Sequence, residues 1–355
     1  MAKSIFLVLF ILTFAQFSYS KSIELMSFNV ENLFDTSHDE GHEDYEYLPF
    51  GDPFKNTGCS EVGNDYYREK CYATDWNQKI LDQKIQSIVD VIYRDGKQTP
   101  DIVGLVEIEN QKVINLLKEK LGYTKALITK GADQRGINVG LMFRESENLK
   151  FLGFEEIEVS NPSMNKPTRN ILEVKFLING KNTLYVFVNH WPSQNNPASD
   201  RVSVARSLLH RIDLLKDSTA GEKYFAIMGD LNVVKGDSPN AIEEVLLDSN
   251  SGLVDVESQF RTSKLISTEL KNKIPPSSYY FKRGDNWNHL DRIIVSKNLL
   301  DQEMEEIDLQ SFDIFAHPKY SRVKGKNRVP LRFEIKNGNG SGVSDHFPIS
   351  VEIKL

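Results

Sequence analysis

The chain has 355 residues, 40% of them hydrophobic and 26% charged, with a formal net charge of −7. Such a composition is ordinary for a folded globular protein and excludes a low-complexity or fibrous chain. The acidic balance excludes a polybasic grip on nucleic acid over the whole surface but leaves room for a local basic groove, because net charge mainly governs solubility and long-range steering. Lys3, the apolar run Ile5 to Phe17 and the small-residue end Ser18-Tyr19-Ser20 read as a signal peptide over residues 1–20. The run is short for a membrane anchor, which needs roughly 20 apolar residues. The expectation is therefore a secreted or periplasmic protein with no stable membrane association, in which Cys59 and Cys71 pair as a disulfide. A loop of that size stabilises by roughly 3 kcal/mol at best in the chain-entropy model. Both cysteines lie in a polar stretch, residues 36–74, read as a long insertion.

Ile23–Phe28 alternates and predicts a strand ending at Asn29. Thr74 and Asp75 are placed to cap a helix whose apolar face is Leu81, Ile85, Ile88 and Ile92. Asp101–Val106 is a short apolar run ending at Glu107, and Gln111–Lys120 predicts a helix stopped by Gly122. Asn138–Phe143, Thr168–Phe176 and Leu184–Val188 predict further strands. A helix opened by Ser199 and Asp200 uses Val204, Leu208, Ile212 and Leu215, followed by a buried-type strand Tyr224–Met228 and a short helix Ala241–Leu247. Arg292–Val295 and Phe347–Ile353 are the closing strands. Strands often follow strands directly, so a doubly wound parallel sheet fits poorly; two mixed β-sheets face to face with helices outside fit better. No repeat or linker divides the chain, and residues 21–355 read as one domain, expected to be a monomer.

Chemistry-bearing residues gather at strand ends. Asn29, Glu107, His190 and Asp230 each follow an apolar run, whereas Asp291 and the pair Asp345-His346 precede one. Any one of them is ordinarily a turn former. If the last two strands oppose the first four, all meet on one rim. An Asp beside a His, with a separate Asp and Asn, can bind a hard cation, activate water and steady a phosphate.

The blocks Ser27-Phe28-Asn29-Val30-Glu31-Asn32-Leu33, Asp101 to Glu107, Val188-Asn189-His190-Trp191, Gly229-Asp230-Leu231-Asn232, Leu290-Asp291-Arg292-Ile293 and Ser344-Asp345-His346-Phe347-Pro348 resemble, in order, those of the endonuclease/exonuclease/phosphatase superfamily. Within it the chain is most similar to secreted bacterial nucleases. The resemblance implies a four-layer α/β sandwich and a hydrolase that cuts phosphodiester bonds of DNA, with RNA as a lesser candidate, leaving 5′-phosphate ends. It implies Mg²⁺ (or Mn²⁺ or Ca²⁺) held by Glu107 with Asn29 and Asp345, a pair His346–Asp291, and catalytic roles for His190, Asp230 and Asn232. Mg²⁺ suits such a set because it prefers carboxylate and water oxygens, and a carboxylate beside an imidazole fixes its tautomer and raises its basicity.

The chain departs from that pattern at Glu31, where many relatives carry Asp, and the partner of His190 is not evident; Asp133 is the candidate. Lys319, Arg322, Lys324, Lys326, Arg328 and Arg332 precede the last block, with Tyr320 and Phe333 between them. They form either a solvated loop or a phosphate-tracking arm, with Lys324, Lys326 and Arg328 as the substrate-binding candidates. Tyr279-Tyr280-Phe281-Lys282-Arg283 is either a strand with core aromatics or a base-stacking patch. His38, His42, His210, His289 and His317 are read as surface or packing residues. The competing activities are a lipid- or inositol-phosphate phosphoesterase of the same fold and a catalytically inactive binding protein; the latter predicts loss of a core residue, and none is lost.

Overall fold

The computed structural model describes residues 21–96, 98–159, 168–216, 221–301 and 305–355, so the expected signal peptide lies outside the described residues. One six-stranded sheet runs in the order β13 (Glu306–Ile314), β18 (Ile349–Lys354), β1 (Ser22–Leu33), β2 (Ile102–Ile108), β4 (Asn138–Phe143), β3 (Lys125–Ile128). The other runs β5 (Leu149–Ile157), β6 (Ile171–Ile178), β7 (Asn182–His190), β8 (Lys223–Asp230), β12 (Asp291–Ser296), β9 (Leu253–Asp255). Three hairpins stand apart: β10–β11 (Tyr279–Phe281, Asn286–Asn288), β14–β15 (Ser321–Lys324, Asn327–Pro330) and β16–β17 (Glu334–Lys336, Asn339–Ser341).

The layers follow from period-two burial. On β8, Tyr224, Ala226 and Met228 face the other sheet, while Phe225 and Ile227 turn outward onto Val204, Leu208 and Ile212 of helix α5 (Ala198–Lys216). On the first sheet Leu25, Val106, Val139 and Leu141 point inward, and Met26, Phe28, Val103 and Leu105 meet α3 (Gln78–Tyr93) and α4 (Gln111–Leu121). Strands buried on both faces read as nearly continuous apolar runs. The result is the four-layer sandwich of two mixed sheets between helices. Gly104 allows the sheets to approach closely: a Cβ there would lie 2.7 Å from Met228 Cε and 3.2 Å from Val188 Cγ2.

Strand direction brings the site together. β1 pairs parallel with β2, and β7 with β8, whereas β12 and β18 run antiparallel to β8 and β1. In register His190 faces Asp230, and Asp230 faces Asp291. The strand ends therefore meet on one rim, as the sequence pattern requires.

Several local expectations change. The helix after the insertion is capped by Asn77, whose side chain accepts from the Ile80 N–H, and not by Thr74 or Asp75. α5 opens at Ala198, Ala241–Leu247 contains a short π-helical turn, and β18 begins at Ile349 rather than Phe347. The insertion holds two helices, α1 (Lys55–Glu61) and α2 (Asp65–Ala73), joined by the Cys59–Cys71 disulfide. Lys55 anchors it from within, donating to the carbonyls of Tyr45, Glu46 and Thr74. Two further short α-helices are α6 (Val256–Thr262) and α7 (Thr268–Lys273). Among the described residues no helix is long and apolar enough to cross a membrane.

Candidate active site

The rim is built on strained backbone. Glu31, Asn32, Glu107 and Asn232 all sit at positive φ, from 51° to 65°. Asn tolerates that region; for Glu the conformation costs on the order of 1–3 kcal/mol and persists only where surrounding structure enforces it. Register shifts at Asn29/Leu33 and Val106/Ile108 accompany it, so both parallel strands bulge as they deliver their polar residues. Gly229, at φ 133°, has no alternative: a Cβ would fall 2.0 Å from the Asn189 carbonyl oxygen.

Asn29 links the carboxylates on the site floor, its amide donating to Glu107 Oε1 at 3.2 Å and Asp230 Oδ2 at 3.1 Å. The Asn32 N–H holds Glu107 Oε2 at 3.1 Å, and the Asn232 N–H holds Asp230 Oδ1 at 2.9 Å. The Asn232 amide donates one N–H to the Trp191 carbonyl, leaving a second N–H for other use. His346 Nδ1 lies 2.6 Å from Asp291 Oδ2, which also accepts from Ser278 Oγ at 2.5 Å. His346 Nε2 is 3.8 Å from both Asp230 Oδ2 and Asp345 Oδ1. Ser344 Oγ accepts from the His346 N–H and donates to the Asn29 carbonyl, tying the last motif to the first.

His190 stands across Asp230 from His346, its Nε2 3.8 Å from Glu107 Oε1 and 4.0 Å from Asp230 Oδ2. Among the described residues its buried Nδ1 has no hydrogen-bond partner. Asp133 is not its partner: that carboxylate pairs with Arg169 at 3.1 Å and with Arg135 at 3.4 Å, and Arg169 in turn donates to the Trp191 carbonyl.

The histidines are driven apart electrostatically. Burial, with Arg169, Arg135 and His346 nearby, holds His190 well below its ordinary value, so it is neutral. Burial opposes protonation of His346 too, but Asp291, Asp345 and Asp230 outweigh it and hold that imidazole well above its ordinary value. Burial pushes Asp230 up to about 7, opposed by His346 and reinforced by Asp291 and Glu107. Groups whose environments separate their pKa values in this way are suited to distinct acid and base roles.

Among the described residues no three His, Cys, Asp or Glu side chains converge as a cage for a metal ion. The donor chemistry nevertheless fits a hard divalent cation that keeps several waters: Glu107 and Asp230 are bridged only by a neutral amide, and Mg²⁺ is usually held by one or two carboxylates plus substrate oxygens. Glu107 and Asn29 are the residues that could hold such an ion, and Asp345 Oδ1, 3.8 Å from His346 Nε2, is the third candidate. Glu31 is otherwise engaged, Oε1 accepting from Arg332 Nε at 2.5 Å and Oε2 from the Phe333 N–H at 3.2 Å. Burial pushes Glu31 up to about 7, Asp345 adding to it and Lys84 and Arg332 pulling it down.

The basic run divides. Lys324 contacts Tyr280 and Asp285, joining the β14–β15 hairpin to the β10–β11 hairpin, whose Tyr279 ring lies 4.8 Å from the His346 ring. Arg328 is committed to Ser321 and Pro318 of its own hairpin, and Lys326 is exposed at the turn. Of the run, Arg332 reaches the site, where it contacts Glu31 and Asp345. Sequence reading also missed Lys84, fully buried on α3, which donates to the carbonyls of Glu31 and Val343. Its signal was a lysine set among Leu81, Ile85 and Ile88.

The Endonuclease/Exonuclease/phosphatase family model matches residues 24–355. No curated protein matches. Among solved structures, D. rerio TDP2 complexed with single-strand DNA product is 15% identical at a TM-score of 0.55, covering 94% of this chain and 99% of that one. The human Nocturnin catalytic domain with bound sulfate is 13% identical at 0.54, covering 94% of each chain. The Bacteroides thetaiotaomicron mannosyl-6-phosphatase Bt3783 is 13% identical at 0.53, covering 94% of this chain and 100% of that one. At these identities the likeness establishes the fold alone.

Proposed function

The chain belongs to the endonuclease/exonuclease/phosphatase family, and on that premise we propose that it is a secreted, divalent-metal-dependent nuclease that hydrolyses phosphodiester bonds of DNA and leaves 5′-phosphate ends. The observation that carries this reading is the close grouping of His346–Asp291, Asp230, Asn232, His190 and the Glu107–Asn29 pair on one rim. Residues 21–355 act as the catalytic unit, and the Cys59–Cys71 bridge suits an oxidising compartment.

The charged His346 imidazolium, fixed by Asp291, grips a non-bridging oxygen of the scissile phosphate. Asp230, held near neutrality, takes the proton of an attacking water. Neutral His190 presents an N–H to another phosphate oxygen, and the free N–H of Asn232 meets the charge that develops on the pentavalent phosphorus. As the water oxygen bonds to phosphorus, the bond to the 3′ oxygen breaks; that oxygen takes a proton from solvent and Asp230 returns its own. A bound Mg²⁺ supplies charge neutralisation at a phosphoryl oxygen. Exposed Lys326 provides a sequence-independent backbone contact at the rim.

The test is a substrate panel for the purified mature protein: supercoiled DNA, end-blocked linear DNA, single strands, RNA, a phosphoinositide and a sugar monophosphate, each with and without chelator. DNA cleavage to 5′-phosphate ends, abolished by chelator, is expected. Turnover of the sugar phosphate or phosphoinositide with DNA left intact would move the protein to the phosphatase side of its family.

A further inference from the structure

The floor of the site contains two pairs of carboxylates, and they are bridged differently. Glu107 and Asp230 share a neutral donor, the Asn29 amide. Glu31 and Asp345 share a cation: Arg332 Nε lies 2.5 Å from Glu31 Oε1 and Arg332 Nη2 lies 3.5 Å from Asp345 Oδ2. A second cation stands beneath the same pair, for Lys84 donates to the Glu31 carbonyl at 2.9 Å and to the Val343 carbonyl at 2.6 Å. Arg332 thus bridges the two carboxylates directly, while Lys84, bonded to backbone carbonyls beneath, adds positive charge nearby, and little anionic attraction remains for a metal ion between them.

Arg332 does not arrive there by chance of side-chain conformation. The Val343 and Ser344 N–H groups both donate to the Leu331 carbonyl, at 2.8 and 3.2 Å, so the connecting segment that carries Arg332, between β15 and β16, is registered against the turn that leads into Asp345 and His346. Gly342, at φ 84°, completes the fit, since a Cβ would fall 2.0 Å from the Arg332 carbonyl oxygen. The longer arm of Glu31, where relatives are expected to carry Asp, lets the carboxylate reach both the guanidinium and the Phe333 N–H. An Arg fork is well matched to paired carboxylates and is always charged.

We propose that Arg332 is a built-in cation that fills the position between Glu31 and Asp345, so that the site holds a single divalent ion, on the Glu107–Asn29 side. The inference rests on the metal-dependent reading above and concerns how many ions the chain admits. Arg332 acts as a positioning residue, keeping Glu31 and the Oδ2 of Asp345 out of the metal shell.

Counting bound Mn²⁺ by the paramagnetic resonance of the free ion, at equilibrium and without substrate, tests it. Wild type and Arg332→Lys are expected to bind one ion per chain, whereas Arg332→Ala and Arg332→Gln, which vacate the positive charge, are expected to bind two. Thermal melts of all four proteins establish that they are folded, and Arg332→Gln serves if the alanine variant is not. Two ions in wild type, or one in the folded neutral variants, would overturn the proposal while leaving the nuclease reading intact. No ion in any of the four would contradict both.

Discussion

His346 and His190 occupy opposite sides of Asp230, their Nε2 atoms 3.8 and 4.0 Å from the same carboxylate oxygen, yet they are driven to opposite charge states. Both are buried; three carboxylates outweigh that burial at the first, whereas at the second burial prevails, reinforced by the arginines nearby. Residue type alone does not assign a role in such a site; the balance between burial and the neighbouring charge does. The charged imidazole is equipped to hold a phosphate anion, the neutral one to donate a single hydrogen bond without repelling the cationic groups around it.

Removing the charged member has the largest expected effect. His346→Ala and Asp291→Asn should each lower kcat on DNA by at least about 100-fold, the lower end of what removing one preorganised transition-state donor costs. The double variant should be little worse than the poorer single, because the two side chains work as a unit. A double loss equal to the product of the singles would break the pair apart. His190→Ala should cost less, about 10- to 100-fold, the equivalent of one hydrogen bond of roughly 1.5–3 kcal/mol to a charged group. An equal loss at both histidines, measured on the same substrate, would erase the distinction between them.

The metal-free protein should show the same contrast in its stability. His346 is protonated more readily in the fold than in the unfolded chain, so its contribution is complete below about pH 6.5 and is lost as pH rises through its raised value. His190 behaves in reverse: the fold keeps it neutral, and stability is lost as pH falls below about 6.5 and the unfolded chain takes up the proton. Melting curves across pH should therefore lose their alkaline decline in Asp291→Asn and keep it in His190→Ala. The smallest effect belongs to the rim. Lys326→Ala should reduce the log–log salt slope of duplex DNA binding by roughly 0.9, with Arg328→Ala acting through hairpin stability instead; an unchanged slope for Lys326→Ala would return that turn to plain solvated surface.

The buried strands were legible because both faces are apolar, and β4 has the bounds its sequence predicts, Asn138–Phe143. The edges were not. β5 is largely open on one side and β13 is bulged, so neither carries a clear apolar run. In the insertion, α1 and α2 are short helices with few buried residues, held by Lys55 and a disulfide rather than by a periodic apolar stripe. At the site, His190 and Asp230 end β7 and β8 and Asp291 opens β12, as could be read directly, whereas the strand expected to end at Asn29 runs on to Leu33 and Glu107 is followed by Ile108, because the bulges there were not legible. Arg332 and Lys84 could not be read either, because their roles depend on contacts across the chain with Glu31, Val343 and Asp345. The Asp133 assignment failed for the same reason: Arg169, in contact with the Trp191 carbonyl, takes that carboxylate first.

The most direct measurement is the initial rate of nicking of supercoiled DNA by wild type and Asp291→Asn, with Mg²⁺, after exhaustive chelation, and after Mg²⁺ is restored. Wild type is expected to nick only when the ion is present and to recover when it returns, and Asp291→Asn to be at least about 100-fold slower whenever the ion is present. Nicking that survives chelation, or Asp291→Asn running near the wild-type rate, would contradict a metal-dependent nuclease built on the His346–Asp291 pair.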